Sequence, residues 1–220
     1  MLKLNFFSHN WLAQKINNES FEHFSHLIKG RTIDLGCGSS PFKEDILKFA
    51  DEYIGVDWDN TLHDKSNVDI TADLTQVFPF DDSYADTLLS FQNMEHLPEP
   101  IFFLSECSRI LKSGGTLIIT VPFMWHVHED PYDFFRYTRY GLEYLFKKTG
   151  FIEIKIQETT GFWQMLALKF NYHTVRYAKG PLKLFFIPIW WTSQVLSPFI
   201  DKFDMNARET ASYFAVARKP

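Results

Sequence analysis

Short apolar runs alternate along this chain with longer segments whose apolar positions recur at helical spacing. Thr32–Leu35, Tyr53–Asp57, Val68–Ile70, Ala85–Phe91 and Thr116–Val121 predict five strands, and Ile152–Glu158 and Ser212–Arg218 a sixth and a seventh. Between them, Pro41–Ala50 reads as a helix with Ser40 as N-cap and proline at its first position. Pro100–Lys112 carries Leu104, Cys107 and Leu111 on one face and is expected to stop at Gly114-Gly115. Arg139–Thr149 follows Thr138 as N-cap and stops at Gly150. Strands alternating with helices of this length predict an α/β fold, a doubly wound and mostly parallel sheet of seven strands. Two segments break the alternation. Residues 1–29 read as an N-terminal helical segment, and residues 159–205 as a helical, aromatic insertion before the last strand. The expected organisation is one domain over 1–220, with a core over 30–158 and the last strand in 206–220.

Composition adds exclusions. With 22 Lys+Arg against 27 Asp+Glu, the net charge is -5, so the chain has no bulk attraction for phosphate backbones and no nucleic-acid partner is expected. A hydrophobic fraction of 45% excludes a disordered or fibrous chain. Cys37 and Cys107 are too few for a disulfide scaffold, and Met1–Asn10 lacks the apolar core of a signal peptide. A cytoplasmic protein is expected. The uncharged run Leu184–Ile200 is interrupted by Pro188 and Pro198 and falls short of the roughly 20 apolar residues of a membrane span. Aromatic residues are unevenly placed: residues 123–200 hold 20 of the 38. In the insertion they interleave with Lys169, Arg176, Lys179 and Lys183. That pattern suits a cap over a substrate, a membrane-peripheral surface or a homodimer interface, beside the plain reading of a core helix pair. The cap built on a packed core is the reading adopted.

The run Asp34-Leu35-Gly36-Cys37-Gly38-Ser39-Ser40-Pro41 follows a strand and opens a helix. Glycines there let the backbone approach a ligand closely. Asp57 ends the next strand, where an acid accepts hydrogen bonds from ribose hydroxyls. The pair points to an adenosine-containing cofactor. A dinucleotide site would need a third glycine where Pro41 stands, and Asp34 would repel a pyrophosphate. The same carboxylate suits a ligand bearing an ammonium and a sulfonium, which favours S-adenosylmethionine over NAD.

With these residues on the page, the sequence resembles the class I S-adenosylmethionine-dependent methyltransferases, in the broad group called methyltransferase type 11. The matching stretches are Asp34–Gly38, Gly55-Val56-Asp57, Ala72-Asp73-Leu74, Met94-Glu95-His96-Leu97, Ile110–Gly115 and Val121-Pro122, in order over about residues 30 to 122. Ser40 stands where the family often has a third glycine. The resemblance implies a Rossmann-like fold and S-adenosyl-L-methionine as cofactor. It further implies that Gly36, Cys37 and Gly38 pass close to the methionine part and that Asp34 faces its ammonium. Asp57 with Trp58 would hold the ribose, Asp73 and Leu74 would meet the adenine, and Gln92 would sit near the methionine part. Glu95 and His96 also invite reading as an acid–base pair, but a packed, hydrogen-bonded His96 is the reading favoured.

Beyond Pro122, the stretch from Phe123 to Thr138 lies where a methyl acceptor would sit in a doubly wound fold. His128, Pro131, Asp133, Arg136 and Thr138 match a sub-pattern of the same group. Three readings stay open. His128 is a general base for an acceptor hydroxyl. His126, His128 and Glu129 or Asp130 bind a metal, although no further ligand cluster supports this and no metal is expected. Or an Asp133–Arg136 salt bridge folds the loop over the cofactor, with His128 as its brace. The expected activity is methyl transfer to a small-molecule, glycan or lipid-like acceptor. The rivals are a non-catalytic cofactor-binding or scaffold protein that docks through the aromatic insertion, and a dinucleotide-dependent oxidoreductase.

Overall fold

The computed structural model describes residues 1–59 and 66–220. Seven strands form one sheet: β1 (Arg31–Leu35), β2 (Glu52–Asp57), β3 (Ile70–Thr71), β4 (Ala85–Phe91), β5 (Leu111–Pro122), β6 (Ile152–Glu158) and β7 (Ser212–Arg218). Their order is β3-β2-β1-β4-β5-β7-β6. Strands β1 to β5 pair in parallel, and β7 runs antiparallel to both β5 and β6. The expected doubly wound, mostly parallel sheet is therefore present. The helices are α1 (Trp11–Phe24), α2 (Lys43–Ile46), α3 (Pro100–Ile110), α4 (Arg139–Lys148), α5 (Phe162–Thr174) and α6 (Leu182–Asp201).

Alternation along the strands divides the core between the two faces of the sheet. Leu88, Leu117, Ile119 and Ala215 join Phe103, Leu104, Cys107 and Ile110 of α3 and Leu142 and Phe146 of α4 on one face. Leu89, Ile118, Phe214 and Val216 turn to the other, against Phe21 and Phe24 of α1 and Phe42 and Ile46. A third cluster sets Leu12 and Ile16 of α1 against Met165, Ala167 and Leu168 of α5. Much of the aromatic surplus is used in this packing: Phe24 stacks on Phe214 at 5.0 Å and Phe21 on Phe42 at 4.8 Å.

β1, β2 and α4 differ from the sequence pattern by one residue at one end, and larger differences at three places each have a local reason. β3 begins at Ile70 and not at Val68, because Asp69 reaches back to β2: its carboxylate accepts from the Gly55 amide at 2.8 Å, which leaves the ladder to start one rung later. The helix expected over Pro41–Ala50 is reduced to Lys43–Ile46, since the next amides shorten their reach, Lys48 to Asp45 and Phe49 to Ile46. The helix expected to reach Lys112 ends at Ile110, and Leu111 already pairs with Ala85. Gly114, at φ +74°, lies within the strand near an irregularity of that ladder.

The insertion folds as the antiparallel pair α5 and α6. Trp190 is fully buried between them and donates to Thr174 Oγ1 at 2.9 Å. Gln194 of α6 ties the pair to the N-terminal segment, accepting from the Leu12 amide at 3.0 Å and donating to the Ser8 carbonyl at 3.1 Å. The outer face of α6 leaves Leu184, Phe185 and Phe199 exposed, as is Phe203 just beyond its end. Among the described residues, no helix is long and apolar enough to cross a membrane.

The start of α5 has no cap of its own, because its N-cap residue is Gly161. Asp201, the last residue of α6, supplies one: its two oxygens accept from the Trp163 and Gln164 amides, each at 3.0 Å. A Cβ at Gly161 would stand 2.5 Å from Asp201 Oδ1, so glycine makes room for the cap. Asp201→Ala is expected to cost about 1–2 kcal/mol, the usual value of a lost N-cap, with Asp201→Asn in between. Urea denaturation followed by far-UV circular dichroism measures both.

Candidate active site

β1 pairs with β2 on one side and with β4 on the other, so the chain leaves it between connections that run to opposite faces. A crevice opens at the carboxyl ends of these strands, as expected where strand order reverses. Two cavities occupy it. The first, ≈470 Å³, is lined by the turn Gly36–Ser39, by Phe21 and Phe24 of α1, by Phe42 and Phe91, and by Trp125, Leu168 and Tyr172. The second, ≈450 Å³, is lined by Asp57, Trp58, Asp73, Leu74, Asn93, His96 and Tyr132, among others. Gly36, Gln92 and Glu129 border both.

The glycine turn is held from beneath. The Gly36 and Cys37 amides donate to the Val56 carbonyl, and the Gly38 amide donates to Asp57 Oδ2 at 2.7 Å. Gly36 has φ +75°, and a Cβ there would meet the Asn93 side chain at 2.4 Å, so both backbone and space require glycine. Gln92 also lies in the left-handed region, at φ +49°, with its amide donating to the Thr120 carbonyl. A non-glycine residue held there, at a strand end bordering both cavities, is the kind of strain that marks working sites.

The predicted residues fall as follows. Asp34, Gly36, Cys37, Gly38 and Gln92 border the first cavity, as does His128. Asp57, Trp58, Asp73 and Leu74 border the second. Asp57 is turned toward the backbone at both oxygens, accepting from Gly38 and from the Trp58 amide at 2.7 Å. Asp73 closes a small turn on Thr75, accepting from its amide at 2.9 Å and its hydroxyl at 2.7 Å. Trp58 meets the Tyr132 ring edge-on at 5.2 Å, so the loop after β5 closes over the second cavity. Burial pushes the Cys37 thiol up to about 12.

That loop is organised by one ion pair. Arg136 grips Asp133 through two bonds of 2.6 Å each and donates to the His126 carbonyl at 2.8 Å. Asp133 also accepts from the His128 amide at 2.9 Å. Arg136 holds the Asp133 carboxyl down at about 2, so the clamp is charged throughout the physiological range. Tyr137 is buried and donates to the Met94 carbonyl at 3.0 Å, and the Phe134 amide donates to the Glu95 carbonyl. The loop is thereby stitched to the turn after β4. Burial lowers His126 below the ordinary imidazole value, with His128 adding to the effect.

The structure adds residues that pattern reading did not place. Of the insertion's side chains, only Thr159, Thr160, Leu168 and Tyr172 line the first cavity, and none of α6 does. Helix α1 supplies much of the remaining wall, and no sequence signal tied it to the site. Tyr53 donates to Asp34 Oδ2 at 2.9 Å. Glu95, legible only as part of a Glu-His pair, is fully buried, and neither carboxylate oxygen has a partner. Burial, with Asp133 and Glu129 nearby, raises its carboxyl to about 8 against the opposing pull of Arg136.

Asp34 is buried, and its Oδ1 has no partner. Desolvation lifts its carboxyl to about 7, opposed by the Tyr53 hydrogen bond and assisted by Asp57. A raised acid pKa means that the folded state keeps a proton that the unfolded chain has released, so stability falls as pH rises from about 4 to about 7 and levels off above. Asp34→Asn removes this dependence. Its melting temperature is expected to exceed that of the natural chain by more at about pH 8 than at about pH 5, as differential scanning fluorimetry at both values would record.

Residues 33–119 match a family described as "Methyltransferase domain". A probable S-adenosylmethionine-dependent methyltransferase of Mycolicibacterium smegmatis is 31% identical over 108 residues, which are 46% of this chain and 42% of that protein. The chain thus spans under half the length of this curated relative. Among solved structures, a SAM-dependent methyltransferase from Archaeoglobus fulgidus superposes with a TM-score of 0.63 at 17% identity, covering 94% of each chain. A phosphoethanolamine N-methyltransferase 2 of Haemonchus contortus, in complex with S-adenosyl-L-methionine, gives a TM-score of 0.62 at 20% identity over 98% of this chain and 56% of its own.

Proposed function

We propose that this chain transfers a methyl group from S-adenosylmethionine to a small acceptor with an apolar body, a reading supported by the match of residues 33–119 to a methyltransferase domain and by the likeness to a probable S-adenosylmethionine-dependent methyltransferase. One observation carries the reading: the two cavities meet at Gly36 and Gln92, one lined by carboxylates and flat side chains suited to a nucleoside, the other by aromatic rings.

The residues suit the cofactor at both ends. Asp34 Oδ1 is a buried acceptor without a donor, matching a ligand ammonium, directly or through water. The Gly36–Gly38 backbone leaves room for the methionine part. Asp57 at the end of β2 would take the ribose hydroxyls, and Asp73 with Leu74, Trp58 and Tyr132 would enclose the adenine. When bound, S-adenosylmethionine supplies a methyl group on a positively charged sulfonium. The chain's task is to align an acceptor atom with that methyl and to exclude water, and alignment alone is worth several kcal/mol. Phe91 and Trp125 border the cavity in which the acceptor would lie, and aromatic faces there favour a cation by about 0.5–2 kcal/mol. The Asp133–Arg136 clamp holds the loop over this junction as a positioning pair and sets His128 in the first cavity's wall.

Asp57→Ala is expected to weaken S-adenosylmethionine binding at least tenfold while the chain remains folded. Isothermal titration calorimetry measures the affinity and circular dichroism the fold. Absence of saturable binding at millimolar cofactor, or binding unchanged in the variant, would refute the reading.

A further inference from the structure

The 3-10 turn Met94–His96 and the loop after β5 bring together three side chains that lie apart in the sequence. Glu95, His96 and His128 each place one donor atom within 4.8 Å of the others. The His96 and His128 rings lie 4.9 Å apart. His96 Nε2 is 3.7 Å from Glu95 Oε1 and 3.9 Å from Glu129 Oε2.

The protons in this cluster are informative. His96 Nδ1 lies 2.7 Å from the Tyr132 carbonyl, which only accepts, so Nδ1 carries the hydrogen. In the neutral ring Nε2 is then a bare lone pair, and it faces carboxylate oxygens. Both oxygens of Glu95 are buried without a partner. The nearby cation, Arg136, is already spent on Asp133 through two short bonds. The two Glu95 oxygens thus sit beside the His96 Nε2 lone pair with no hydrogen-bond donor to them among the described residues, a costly arrangement for a buried carboxylate.

We propose that Glu95, His96 and His128 form a binding site for a divalent first-row transition-metal cation, with Glu129 at its edge. Imidazole nitrogens and a carboxylate are the donor set such ions prefer, and two histidines with one glutamate leave a coordination position open. Ligands about 2.1 Å from a tetrahedral ion stand about 3.4 Å apart; the His96–Glu95 pair at 3.7 Å is already near that spacing, and the widest separation, within 4.8 Å, closes by side-chain rotation. The surroundings are those of metal-binding histidines, whose second nitrogen is held by a carbonyl or carboxylate. His96 Nδ1 has the Tyr132 carbonyl, and His128 Nδ1 lies 3.3 Å from both Asp133 Oδ2 and the His126 carbonyl and 3.4 Å from an Arg136 nitrogen. The Asp133–Arg136 pair thus also steadies a ligand. His128 borders the first cavity, His96 the second, and Glu129 both, so the ion would sit in the wall they share. Sequence spacing suggested His126 as the partner of His128. Folding brings Glu95 and His96 there instead.

The site stands independently of the cofactor reading and is tested without turnover. The full chain, stripped with a chelator, is titrated with Zn²⁺ by calorimetry and with Co²⁺ by visible absorption, in the absence of S-adenosylmethionine. One saturable site per chain is expected, with d–d bands for Co²⁺. Glu95→Gln, His96→Asn and His128→Asn should each weaken Zn²⁺ at least tenfold and diminish the Co²⁺ bands, whereas His126→Asn should leave both unchanged. Because Glu95 is buried, the two half-buried histidines carry the test if Glu95→Gln does not fold. No saturable binding of either ion, or binding undiminished in both His96→Asn and His128→Asn, overturns the site and assigns the gap to a proton on Glu95. S-adenosylmethionine titrated into the same stripped protein reports separately on the cofactor reading.

Discussion

The site depends on the place of β1 in the sheet. Paired in parallel with β2 on one side and β4 on the other, it delivers Asp34 and the glycine turn into the gap between two connections that diverge to opposite faces. The gap cannot be filled by either neighbouring strand, because each carries its chain away from it. Its floor comes from the ends of β1, β2 and β4, and its walls from the loop after β5, from Asp73 and Leu74, and from α1 and α5. Each strand end is fixed by ladder bonds a few residues before it, so the positions of Asp34, the glycine turn, Asp57 and Gln92 are inherited from the register of the sheet.

Much of this was legible in the sequence. β4, β6 and β7 were read to the residue, because their patterns end sharply at loop or turn residues. The turn Asp34–Gly38 and Asp57 could be connected at a distance because adjacent parallel strands place their carboxyl ends side by side. Pattern reading failed where one side chain replaced a backbone bond, as Asp69 does at β3. It also failed where a glycine pair had two uses: Gly114-Gly115 look like a helix stop but serve a strand. What could not be read were long-range consequences, such as the wall that α1 gives the first cavity, the bond from Tyr53 to Asp34, and the isolation of Glu95. These depend on how layers meet, and no local period encodes that.

The site concentrates burial of acids without local compensation. Asp34 and Glu95 are both withdrawn from water, both hold an unpartnered oxygen, and both are shifted toward the neutral form. Asp133, close by, is paired and stays charged. The contrast separates a brace from groups that await something. Asp57 and Asp201 likewise find donors within the fold, at backbone amides. Asp34 borders the first cavity, and Glu95 lies next to His96, which borders the second.

The insertion leaves the sheet after Glu158 and returns at Ser212, and Glu158 stands beside Tyr213 in the antiparallel ladder between β6 and β7. Topologically it is an overgrown hairpin loop, its two ends already pinned on neighbouring rungs. Its helices reach the crevice through Leu168 and Tyr172, yet no strand that supplies the glycine turn, Asp57 or Asp73 depends on their length or composition. The α5 part of the first cavity's wall can therefore change in length or composition while the rest of the sheet keeps its register and the turn after β1 keeps its shape.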